Sequence, residues 1–171
     1  MQKVVLIIIF SLMLFVPQHA RSNSPELNVP ANSESAALLL RENLVSFAKE
    51  LMGIPYLYAS ANPAKGFDCS GFVKYVFKNF NIDVPHSSKA FTNLGKPVEP
   101  ENYKVGDVLI FYGFRNSTQV GHVGIICEAN GMHSKFIHSS SGKSKGVIIS
   151  ELNSEMYTRR LYQCVDVIGG K

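Results

Sequence analysis

The chain has no concentrated basic stripe, few cysteines, no internal repeat and no apolar run long enough for a comfortable membrane span. Each absence removes a class of function. Nucleic-acid binding shows as a basic face or stripe, and here only Lys143, Lys145 and the pair Arg159–Arg160 cluster at all, so the formal net charge of +4 describes a solvated surface. The three cysteines, Cys69, Cys127 and Cys164, lie too far apart for a metal knuckle. No H-E-x-x-H-like segment is present either. The odd cysteine count leaves at least one free thiol in an oxidising compartment.

The amino terminus has the texture of an export signal. Lys3 precedes the apolar stretch Val4 to Val16, and Ala20 offers a small residue at the cleavage point. A membrane span needs roughly 20 apolar residues, so residues 1–20 read as a signal peptide, with a retained anchor as the alternative. No cysteine follows directly, so a lipoprotein anchor is not indicated. Residues 21–34 are polar, contain two prolines and read as a flexible leader. Residues 35–171 then form one domain outside the cytoplasm, in the periplasm or at the cell wall, with no membrane span after signal removal.

Within that domain helices come first. Ala37, Leu40, Leu44, Phe47, Ala48 and Leu51 recur at helical spacing, and Gly53 follows the stretch. Phe72, Val73, Val76 and Phe77 predict a second helix that begins at Asp68, Cys69 or Ser70. A short helix is expected over Ser87–Thr92. From Val105 onward five segments rich in β-branched and aromatic residues alternate with Gly, Asn and Ser clusters. Helices followed by an antiparallel sheet argue for an α+β fold.

Cys69 stands at the start of a predicted helix, where peptide dipoles favour negative charge and are expected to lower the thiol pKa. Cys127 and Cys164 sit inside apolar strand patterns and read as structural; a disulfide between them has no sequence support. A thiol nucleophile needs a proton acceptor, and imidazole serves best near neutral pH. His86 and His133 lie in turn-like segments and are expected to be exposed. His122 and His138 lie in apolar strands, where an imidazole without a partner is costly. Adjacent antiparallel strands would set these two side by side, one orienting the other. A zinc site built from Cys69, His122 and His138 is the rival reading.

Several ordered segments resemble the NlpC/P60 family of cell-wall cysteine peptidases. They are Gly53-Ile-Pro-Tyr-Leu-Tyr58, Gly66-Phe-Asp-Cys-Ser-Gly-Phe-Val73, Gly106-Asp-Val-Leu-Ile-Phe111, Gly121-His-Val-Gly-Ile125 and Phe136-Ile-His-Ser-Ser140. The resemblance implies a papain-like α+β fold with N-terminal helices packed on a C-terminal antiparallel sheet. It implies Cys69 as nucleophile, His122 as general base and acid, and His138 as the group that fixes the His122 ring. Tyr56 would lie beside the thiol and help hold the oxyanion, and Ser70 would face the substrate cleft. The implied reaction needs no metal or other cofactor. Its implied partners are peptidoglycan stem peptides, cut between γ-D-glutamate and a diamino acid. Acyl transfer to a lipid or small amide by the same pair, and a non-catalytic wall-binding role, are the alternatives. Two positions depart from the family pattern: Ala59-Ser60 replaces a glycine pair, and His86 stands where arginine is frequent.

Overall fold

A computed structural model describes residues 31–114, 116–143 and 145–169. The stretches read as signal and most of the leader lie outside these residues. The first helix, α1 (Ala31–Glu50), starts before Ser35, so the last residues of the expected leader are helical. Its register is the expected one. Leu44, Val45 and Ala48 are buried, while Glu42, Ser46, Lys49 and Glu50 face solvent.

Two short strands, β1 (Ala61–Asn62) and β2 (Gly66–Phe67), form a small hairpin that feeds α2 (Cys69–Lys78). Phe72, Val73, Val76 and Phe77 all point into the core, so helical spacing alone sets the buried face of α2. The short helix expected near Ser87 is a 3-10 helix over Ser88–Asn93, and a second 3-10 turn covers Pro100–Asn102.

The main sheet comprises β3 (Lys96–Val98), β4 (Val108–Tyr112), β5 (Val120–Glu128), β6 (Lys135–Ser140), β7 (Gly146–Glu151) and β8 (Leu161–Asp166). A one-turn helix, α3 (Glu155–Thr158), joins β7 to β8. The strand order is β3-β8-β4-β5-β6-β7, with every pair antiparallel. The architecture is α+β, as the order of elements in the sequence indicates.

Two apolar clusters divide the sheet residues. The larger joins α1 and α2 to Val108, Ile110, Val123, Ile125, Cys127 and Ile137. The smaller contains Leu109, Phe111, Ile126, Phe136, Tyr157 and Cys164. Side chains alternate across a strand, so strands β4, β5 and β6 are buried on both faces.

Cys127 and Cys164 therefore belong to different clusters, on β5 and β8, with β4 between them. Both are free thiols.

A buried ion network fixes α1 to the sheet. Arg41, only 4% exposed, donates to Asp107 Oδ1 at 2.7 Å, to the Val105 carbonyl at 3.0 Å and to Asp166 Oδ1. An unpaired charge there would be expensive, and three acceptors satisfy the guanidinium.

Candidate active site

The amino end of α2 is assembled around Asp68. Its extended backbone (φ −82°, ψ 175°) makes it the N-cap, and its Oδ1 accepts the Gly71 N–H at 2.7 Å and the Ser70 hydroxyl at 3.0 Å. That satisfies one of the amide donors a helix start leaves open. The Asp68 N–H in turn donates to the Ser60 carbonyl at 2.9 Å. Gly71 is required here by space. A Cβ on it would lie 2.1 Å from the Ser60 oxygen and 2.9 Å from His86 Nε2. The Tyr56 loop is tied to the same point, because Phe67 N–H donates to the Pro55 carbonyl and Leu57 N–H to the Phe67 carbonyl.

Cys69 is the first residue of α2, which packs against β5. The backbone N–H groups of Val123, Ser70 and Cys69 itself favour the thiolate. They do not prevail. Burial, together with the neighbouring Asp68 carboxylate, pushes the Cys69 thiol up to about 11. The helix-start argument expects a lowered value and is corrected on this point: desolvation outweighs the few oriented amides. The resting residue is a thiol, so any nucleophilic role requires a base at the moment of attack.

The two strand histidines come from β5 and β6. His122 Nε2 and His138 Nδ1 are 2.9 Å apart, as strand adjacency leads one to expect. Their rings are nearly perpendicular, at 88°. His138 is fully buried, stacked on Phe136 and edge-on to Tyr157. Burial, with the Arg160 charge adding, lowers its pKa to about 3. Burial also holds His122 well below the ordinary imidazole value, followed by the effects of His138 and Arg160. Both rings are neutral near pH 7, the state in which an imidazole accepts a proton.

Tyr56, Tyr58, Asp68, Cys69, Ser70, His86 and Lys89 all line one cavity of about 370 Å³ beside β5. The sequence-predicted residues Tyr56, Cys69 and Ser70 therefore share one space. Ser70 is buried and donates its hydroxyl to Asp68. Burial raises the Tyr56 phenol, and its neighbours Cys69 and Asp68 add to the effect.

His133 is exposed, as its turn suggests. His86 is exposed as a residue, yet its Nε2 reaches both Asp68 oxygens, at 3.1 and 3.3 Å. Sequence reasoning also missed Asp68, Lys89 and the groups behind His138. The adjacency of Asp68 to Cys69 was the available signal for the first; the others depend on contacts distant in sequence. Among the described residues no three His, Cys, Asp or Glu side chains are grouped to hold a metal ion. Two of the three residues of the zinc reading, His122 and His138, instead share a hydrogen bond.

Comparison with known proteins identifies the family. Residues 53–166 match the NlpC/P60 family. The chain is 34% identical over 119 residues to a gamma-DL-glutamyl hydrolase of Bacillus subtilis, covering 69% of this chain and 27% of that protein. It is 35% identical over 115 residues to a probable endopeptidase of Haemophilus influenzae, covering 67% of this chain and 66% of the relative. Among solved structures, an NlpC/P60 family protein from Bacillus cereus superposes with a TM-score of 0.66 at 26% identity, covering 75% of this chain and 40% of that one. The chain thus spans about a quarter of the Bacillus subtilis hydrolase and two thirds of the Haemophilus relative. With the motifs, the sheet order and the family match in agreement, this chain belongs to the NlpC/P60 family.

Proposed function

We propose that the protein is a cysteine endopeptidase of the cell envelope that hydrolyses peptidoglycan stem peptides at the γ-D-glutamyl–diamino acid bond. The observation that carries this reading is that Cys69 opens α2 on the cavity while α2 packs on β5, the strand whose His122 is hydrogen-bonded to His138. Relatives named gamma-DL-glutamyl hydrolase, and murein DD-endopeptidase and LD-carboxypeptidase in Escherichia coli, support the substrate class. The export-like amino terminus supports the location.

The chemistry follows from the protonation states. His122 Nδ1 takes the thiol proton as the sulfur attacks the scissile carbonyl carbon. The oxyanion is held by the Cys69 N–H and the Tyr56 hydroxyl. On collapse the C–N bond breaks, His122 returns its proton to the leaving amine, and a thioester on Cys69 remains. Water then attacks that thioester while His122 takes its proton. The carboxylic acid leaves and the Cys69 thiol is restored. A thiol at about 11 beside a lowered imidazole makes this general-base attack by a neutral pair, rather than attack by a preformed thiolate.

Asp68 and Lys89 both line the cavity, charges of both signs suited to a zwitterionic stem peptide.

The test is digestion of purified peptidoglycan by the protein and by its Cys69→Ala variant, with mass analysis of released fragments. Fragments ending in γ-linked glutamate, absent with the variant, are expected. No cleavage by folded protein would overturn the reading and direct attention to acyl transfer on lipids or small amides.

A further inference from the structure

Behind His138 the structure places two hydroxyl groups that the resemblance to known peptidases does not supply. His138 Nε2 lies 2.9 Å from Ser150 Oγ on β7 and 3.3 Å from Tyr157 Oη on α3. Tyr157 is only 7% exposed and is enclosed by Phe111 and Phe136, at ring separations of 5.4 and 4.8 Å. A continuous polar chain therefore runs from His122 through His138 to Ser150 and Tyr157, inside an aromatic wall.

A neutral imidazole has one N–H and one bare nitrogen. Both nitrogens of His138 are engaged, so the partner at one end dictates the proton at the other. Two arrangements satisfy the chain. In one, a hydroxyl donates to His138 Nε2, and His138 Nδ1–H donates to His122 Nε2. His122 then carries its proton on Nδ1 and has no lone pair there for the thiol. In the other, His122 Nε2–H donates to His138 Nδ1, and His138 Nε2–H donates to the hydroxyl pair. Only this second direction leaves His122 Nδ1 bare.

We infer that Ser150 and Tyr157 are positioning residues that accept the His138 Nε2–H, fix both imidazoles as Nε2–H tautomers and so keep His122 Nδ1 open to the Cys69 thiol. Neither hydroxyl is basic enough to remove the His138 proton, so the charge formed during attack stays on His122. A carboxylate in the same place would stabilise that charge; the hydroxyl pair orients without doing so. Ser150 has the closer contact and carries the larger share.

The inference rests on the proposed role of Cys69 and His122, but its first test does not. Nitrogen-15 spectra of histidine-labelled resting protein, assigned by single histidine substitutions, read the tautomers without substrate. His138 and His122 are expected as Nε2–H forms at pH 7. A His138 with its proton on Nδ1 overturns the inference whatever the activity. The second test is kinetic. Ser150→Ala should lower kcat about tenfold or more at unchanged KM, a part of the roughly 10²–10⁴-fold that general acid–base catalysis supplies. The same variant should populate the Nδ1–H tautomer of His138. Ser150→Thr, which keeps the hydroxyl, should restore both readouts, and Tyr157→Phe should lose less than Ser150→Ala. Wild-type kcat in Ser150→Ala overturns the inference. Undiminished activity in Cys69→Ala would instead overturn the proposed mechanism and leave the tautomer result standing.

Discussion

His122 Nε2 and His138 Nδ1 meet at 2.9 Å with their rings almost perpendicular, so the buried ring of His138 fixes the orientation of His122. In the proposed mechanism His122 reacts and His138 orients it. His122→Ala is therefore expected to abolish hydrolysis. His138→Ala should leave a residual rate, because the remaining imidazole still samples the productive orientation. Equal losses in kcat for the two variants would contradict this division.

The same pair sets the pH behaviour. His122 must be neutral to accept the thiol proton, and its pKa is held well below 6.5. The acid limb of kcat/KM against pH is expected below 6.5, with activity lost as pH falls. A limb above that value would contradict a base held neutral by burial.

Stability should follow His138. Its folded pKa of about 3 lies below the ordinary 6.5, so between those values the unfolded chain binds the extra proton. Stability is then full above about pH 6.5 and declines as pH falls toward 3. His138→Gln should flatten the melting temperature across that window relative to wild type.

Arg41 joins Asp107 and Asp166 inside the fold, and removing it leaves two carboxylates without their cation. Arg41→Ala is expected to cost about 3–5 kcal/mol of stability, read by denaturant unfolding. A loss below about 1 kcal/mol, the usual range of an exposed pair, would show that the network is solvated.

Lys89 lines the same cavity as Cys69 and donates its ammonium to Gln119 Oε1 at 3.0 Å, and in the proposed function it would meet an anionic substrate group. A γ-linked glutamate retains a free α-carboxylate on the residue whose side-chain carbonyl is cut. Lys89→Gln should raise KM for a stem peptide with that carboxylate free and leave KM for the amidated peptide unchanged. Equal effects on both substrates would contradict a charge contact.

Much of this architecture is legible in the sequence because it depends on local periodicity. The buried faces of α1 and α2 follow from apolar spacing, and β5, β6 and β7 follow from β-branched runs between turn residues. β3 was not legible: three residues, one of them Pro97, give no alternation, and the strand exists only because β8 pairs with it. The His122–His138 contact could be anticipated from two polar rings in apolar strands. Arg41, His86, Ser150 and Tyr157 could not, because their partners are brought close only by the completed fold. The thiol pKa was misjudged for a related reason. Helix position is written in the sequence, whereas the depth of burial that outweighs it is not.

The most direct test of the account is stoichiometric alkylation with iodoacetamide, following residual peptidoglycan hydrolysis and the mass of each cysteine-containing peptide. Cys69 borders the cavity, while Cys127 and Cys164 are buried thiols. The account predicts that activity falls in direct proportion to modification of Cys69, with the other two unmodified. Full hydrolysis by protein completely alkylated at Cys69 would contradict it.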